Sequence, residues 1–134
     1  TILAVDATAD VGRGFEDLAN VVRKCRVDFG VEIDLRLDQL GTATETGAPP
    51  SAGFVVGSIK YPGRDLPGRL IFIKPTLIKL QLLGVDIFSY AKGSKSFPHQ
   101  TTLDQFFSES QFESYRSLGE RIAGVCLDTK EAKL

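Results

Sequence analysis

The sequence predicts an α/β fold: strand–helix–strand, then an antiparallel hairpin, then C-terminal helices. Three observations carry that expectation. Residues 2–7, ILAVDA, are a short continuous apolar run ending in Asp6, the look of a strand buried on both faces, as in parallel sheets. Phe15, Leu18, Val22, Cys25 and Phe29 recur at helical spacing. Two strand-like runs, GFVVGSIK at 53–60 and RLIFIK at 69–74, flank the turn-forming stretch YPGRDLPG.

The elements follow in order. The first strand leads into TADVGRG at 8–14, a polar, glycine-bearing loop. The helix after it ends at Gly30, which is placed for a left-handed cap. Residues 31–35, VEIDL, alternate apolar and acidic, as a half-buried strand does. Strand, helix and strand are the parts of a crossover unit. Residues 41–52, GTATETGAPPSA, read as an exposed loop. The hairpin comes next. Residues 77–92 carry a mixed helical pattern with Leu80, Leu83, Ile87 and Tyr90 on one face, stopped by Gly93. Thr101 or Thr102 caps a short helix, LDQFF. Ser110 and Glu113 have capping-box spacing for the last helix, whose apolar stripe is Phe112, Tyr115, Gly119, Ile122 and Ala123. The tail TKEAKL is polar and expected to fray.

Composition narrows the function classes. The 134 residues suit one domain or a fragment of one, with 43% apolar and 25% charged residues. Net charge is −1 and the signs alternate, so nucleic acid is not an expected partner. No apolar run approaches the ~20 residues of a membrane span, and no signal peptide opens the chain. There is no Met; loss of an initiator or a cut from a longer chain explains the start equally well. Cys25 and Cys126 both sit in helical patterns and read as buried free thiols, which fits a reducing compartment. Two distant cysteines and one His make a poor metal site.

Candidate chemistry is sparse. A nucleophilic serine of the α/β-hydrolase kind needs Gly-x-Ser-x-Gly on a strand–turn–helix, and the pattern is missing. Ser58 follows Gly57, but inside a hairpin strand. His99 is the one imidazole that could act as a base, and its loop context reads as a surface or capping residue. Asp6 ends the first strand at the carboxyl edge, where open α/β sheets place ligands, so Asp6 and Asp10 could face a site. The plainer reading makes them loop carboxylates that bond the Gly12–Gly14 backbone or cap the next helix. Gly12-Arg-Gly14 lacks the spacing of a dinucleotide loop. Phe106, Phe107 and Phe112 are expected to pack in the core or between domains, because Asp104, Glu109 and Glu113 stand beside them in place of the basic residues that membrane docking requires.

Four blocks, ILAVDATAD, FEDLANVVRKCRVDFGVEIDL, LIFIKPTL and FPHQTTLDQFFSESQFESYRSLGE, resemble in that order the C-terminal part of bacterial patatin-like phospholipases. The resemblance covers roughly residues 2–122, with gaps at 38–51 and 76–92. It implies part of a three-layer fold that carries a serine–aspartate dyad. The dyad serine belongs to Gly-x-Ser-x-Gly, its aspartate to Asp-Gly-Gly or Asp-Gly-Ala, and a glycine-rich loop supplies oxyanion donors. None of these motifs occurs here, and Asp6 is followed by Ala7 and Thr8 rather than glycine. The resemblance therefore assigns no catalytic, cofactor-binding or metal-ligating residue, and no cofactor. It implies the tail of a lipid acyl hydrolase, cytoplasmic or at the cytoplasmic face of a membrane, partnered by the N-terminal half of the same protein. Lipid ester would be a substrate only of the full-length protein. A doubly buried strand needs neighbours on both edges, so apolar surface is expected where that half would dock, and self-association through it follows.

Overall fold

The molecule is described by a computed structural model covering residues 1–40, 52–79, 83–101, 103 and 105–130. Its frame is a four-stranded mixed sheet with helices on both faces. The elements are β1 (Ile2–Val5), α1 (Glu16–Phe29), β2 (Glu32–Asp34), β3 (Phe54–Lys60), β4 (Gly68–Ile73), α2 (Val85–Gly93) and α3 (Glu109–Asp128), with a 3-10 turn at Leu37–Leu40.

The strand order is β1-β4-β3-β2. β3 and β4 form the expected antiparallel hairpin, with Val56 opposite Ile71. β2 pairs antiparallel with β3, Ile33 opposite Ile59. β1 pairs parallel with β4, from Ile2–Leu70 to Val5–Ile73. β1 and β2 therefore run the same way at opposite edges, and the β1-α1-β2 crossover spans the two hairpin strands between them.

Alternation along the hairpin builds two cores, because successive strand side chains point to opposite faces. Val55, Ile59, Leu70 and Phe72 meet Phe15 and Leu40 on the α1 face. Phe54, Ile71 and Cys126 meet on the α3 face. Beyond them, Ile78, Ile87, Phe97, Leu118 and Ile122 knit α2 to α3. At Gly53, just before β3, a Cβ would lie 2.6 Å from Ile122 Cδ1, so the glycine is what lets α3 approach.

Several expectations are corrected. Among the described residues β1 is an edge strand with Ile2, Leu3 and Val5 exposed, so the double burial read from ILAVDA is not seen, whereas exposed apolar surface, as expected of this chain, is. The first helix does end at Gly30 in the left-handed region, φ 64°, with its N–H donating to the Arg26 carbonyl. None of its residues is fully buried; Phe29 is exposed and Cys25 only half-buried. The second helix is confined to Val85–Gly93; Leu80, on its expected face, lies outside the described residues.

Residues 105–107 are not helical, and Phe106 and Phe107 are exposed. Ser108, not Ser110, caps α3, its Oγ accepting from the Gln111 amide at 3.2 Å. The buried stripe is Gln111, Ser114, Ser117, Leu118, Ile122 and Cys126, so Phe112 and Gly119 face solvent. Small serines took the inner positions that bulk had suggested for Phe112, and the Ser114 hydroxyl donates to the Ser110 carbonyl, leaving no orphan donor. Of the loop expected at 41–52, residues 41–51 lie outside those described, whereas Ala52 is half-buried and its N–H donates to the Gln39 carbonyl.

Candidate functional site

The parallel pair β1–β4 brings its carboxyl ends together, and the polar residues of interest gather there. The Asp6 N–H donates to the Ile73 carbonyl at 2.9 Å, which carries the pairing past the strand end. The next residue of the hairpin is Lys74, whose side chain is buried. Its ammonium donates to Asp6 Oδ2 and the Thr8 carbonyl, both at 2.9 Å, and to Thr8 Oγ1 at 3.2 Å. Asp6 Oδ1 accepts from the Thr8 amide and hydroxyl. Burial pushes the Asp6 carboxyl up, but the bonds from Thr8 and Lys74 outweigh it, and the group titrates below its ordinary 3.8.

Asp10 organises the loop. Its Oδ1 accepts from the Gly14 amide at 2.9 Å and its Oδ2 from the Phe15 amide at 3.0 Å. This is the loop-bonding role read from the sequence. Arg13 (φ 50°) and Phe15 (φ 52°) both sit in the left-handed region, which costs a non-glycine residue about 1–3 kcal/mol. The Asp10 bonds and burial of the Phe15 ring offset that strain. Asp6, Thr8, Asp10, Gly14, Phe15 and Lys74 line a cavity of about 380 Å³ at this edge.

His99 belongs to the same cluster and is half-buried, bonding the backbone of a distant loop rather than standing free at the surface. Its Nδ1 accepts from the Asp10 N–H at 3.3 Å, across 89 residues of sequence. The FPHQ turn that carries it is anchored on both sides. Phe97 is buried and stacks edge-on between Tyr90 and Tyr115, with ring centroids 5.1 and 4.8 Å away. The Gln100 amide N–H donates to Tyr115 Oη, and its side chain donates to Ser94 Oγ. The Gln111 side chain, in turn, donates to Gln100 Oε1. Burial and the neighbouring Lys74 hold the His99 imidazole below its ordinary 6.5.

Chemically, this cluster is a brace. The Thr8 hydroxyl gives its proton to Asp6 while accepting from Lys74, and the Nδ1 of His99 is occupied. Ser58 lies mid-strand opposite Arg69 and Asp34, away from the carboxyl edge. No group of three or more His, Cys, Asp or Glu among the described residues could hold a metal ion. No helix among them is long and apolar enough to cross a membrane.

The other candidate surface is apolar. Among the described residues no strand pairs with the outer edge of β1, and a groove opens beside it on each face of the sheet. On the α1 side, Ile2, Ala4, Leu18, Val21, Cys25 and Phe72 line about 350 Å³. On the α3 side, Leu3, Ile71, Ile73, Ala123, Cys126 and Leu127 line about 100 Å³. The sequence signalled this surface through the all-apolar run ILAV, though it suggested burial, not an edge. Comparison with protein-family models, with curated proteins and with solved structures returns no match to this chain.

Proposed function

We propose that this chain is the C-terminal structural segment of a patatin-like serine acyl hydrolase, catalytically incomplete by itself. Its part is to complete the sheet and brace the loop at the carboxyl edge, while the N-terminal half of the same protein supplies serine, aspartate and oxyanion donors. Lipid ester hydrolysis belongs to that whole protein. The four-block resemblance supports this reading, and one observation carries it: β1 is apolar on both faces and, among the described residues, pairs only with β4, in parallel, leaving its outer edge bare. Parallel strands are ordinarily covered on both faces, and a bare apolar edge is a ready template for a further strand. The test is direct. The chain should neither hydrolyse short p-nitrophenyl esters nor react with a fluorophosphonate probe; stoichiometric labelling of any serine rejects the reading.

A second reading is a free-standing interaction domain without enzymatic activity. It is favoured by the completeness of the α2–α3 core, where Ile87 and Leu118 are wholly buried. Size-exclusion chromatography with a hydrophobic dye separates the two. A monodisperse monomer with little dye fluorescence supports the independent domain, whereas self-association or strong dye binding supports the severed segment.

A further inference from the structure

We propose that His99 is a pH-operated latch: its neutral imidazole pins the loop after β1 to the two-helix layer, and protonation releases that loop. The inference concerns this chain's own fold and stands whether or not the hydrolase reading holds.

The geometry sets the rule. An imidazole nitrogen accepts a hydrogen bond only when it carries no proton. Nδ1 faces the Asp10 N–H, so the neutral ring must hold its proton on Nε2. Protonation of Nδ1 would set one donor against another at 3.3 Å. The charged groups around the ring come from two elements. Asp6, Asp10 and Arg13 lie on the loop after β1, and Lys74 follows β4. Lys74 and Arg13 repel an imidazolium. Asp6 and Asp10 attract it, but their oxygens already accept from Thr8 and Lys74 and from Gly14 and Phe15. Turning the protonated Nδ1 toward either carboxylate takes it away from the Asp10 N–H, so the bond that pins the loop is lost.

Release should be local. Phe97 and Gln100 keep the FPHQ turn fixed to Tyr90, Ser94 and Tyr115. The other side of the latch is the loop of residues 8–14, held at its start by the Lys74 bonds to Thr8 and at its end by the Asp10 bonds to Gly14 and Phe15, with Arg13 and Phe15 in the left-handed region. The cavity of about 380 Å³ lies against that loop, so its shape changes with the latch.

His99 is the one histidine of the chain, which makes its signals unambiguous. In the ¹⁵N-labelled chain, long-range proton–nitrogen spectra at pH 7.5 should show a single neutral tautomer protonated on Nε2. On titration the ring should protonate below pH 6.5, and the Asp10 amide should shift with the same midpoint. His99→Asn retains an acceptor near the Nδ1 position but has no titrating ring; it should keep Asp10 amide protection and lose the pH step. His99→Phe should lose about fivefold in that protection, the value of one ordinary hydrogen bond. A mixture of tautomers, a midpoint at or above 6.5, or Asp10 protection unchanged in His99→Phe overturns the proposal.

Discussion

Lys74 Nζ stands 2.9 Å from Asp6 Oδ2, and this pair ties the carboxyl ends of the two parallel strands together. The partners are unequally buried: 4% of the Lys74 side chain is exposed against 17% for Asp6. Removing either leaves the other with the wrong solvation, and the deeper group suffers more. Asp6→Ala strands the ammonium with Thr8 alone and should cost about 3–5 kcal/mol. Lys74→Met leaves a carboxylate that still accepts from Thr8 and reaches some water, and should cost about 1–3 kcal/mol. Urea unfolding of the two variants checks the order; equal losses would contradict it.

Acid should find the same pair. The folded Asp6 carboxyl titrates below 3.8, so the folded state binds its proton more weakly than the unfolded chain does. That stability is present above pH 3.8 and is lost as pH falls through the lowered folded value. The His99 contribution occupies another window. A base held below 6.5 is stabilising in its neutral form, so stability is full above 6.5 and declines as pH drops toward the folded value. Melting temperature against pH should show both declines in the native chain. The lower one should be shallower in Asp6→Asn, where Glu113 still titrates below its ordinary value, and the upper one should be missing in His99→Asn.

Glycines give a test of packing that chemistry does not confuse. A Cβ on Gly57 would run into the Asp34 carbonyl of β2 and lie 2.6 Å from Leu35 Cδ2. Backbone cannot yield as a side chain does, so Gly57→Ala should cost about 2–3 kcal/mol. Gly119 lies on the exposed side of α3 with nothing within 4 Å of its Cβ position. Gly119→Ala should gain about 0.5–1 kcal/mol from helix propensity and reduced unfolded-chain freedom. Paired thermal melts decide it: the two alanines should move the transition in opposite directions.

The face of α3 is open to a similar comparison. Leu118 is wholly buried among Ile78, Ile87 and Phe97, whereas Phe112 is 63% exposed. Leu118→Ala should cost about 2–5 kcal/mol by emptying a packed position. Phe112→Ala, despite deleting the larger side chain, should cost less than about 1 kcal/mol. Chemical denaturation measures both; a larger loss at Phe112 would mean that the helix is rotated from the arrangement described.

By itself the sequence determined the local elements, because their signals are short-range. Period-two alternation in GFVVGSIK and RLIFIK, the turn residues between them, and Gly30 at a left-handed cap specified the hairpin and the end of α1 with no help from distant residues. The bonding of Asp10 to its own loop was legible for the same reason. Placement was decided only by the tertiary structure. ILAV reads apolar whether it lies inside a sheet or along its edge, since alternation describes faces and says nothing of neighbours. On the inner face of α3, Ser114 and Ser117 are buried where bulk had suggested Phe112. His99 joined Asp10 because Phe97 and Gln100 fixed its turn against two helices. Contacts made across 89 residues carry no trace in spacing; they exist only once the layers have packed.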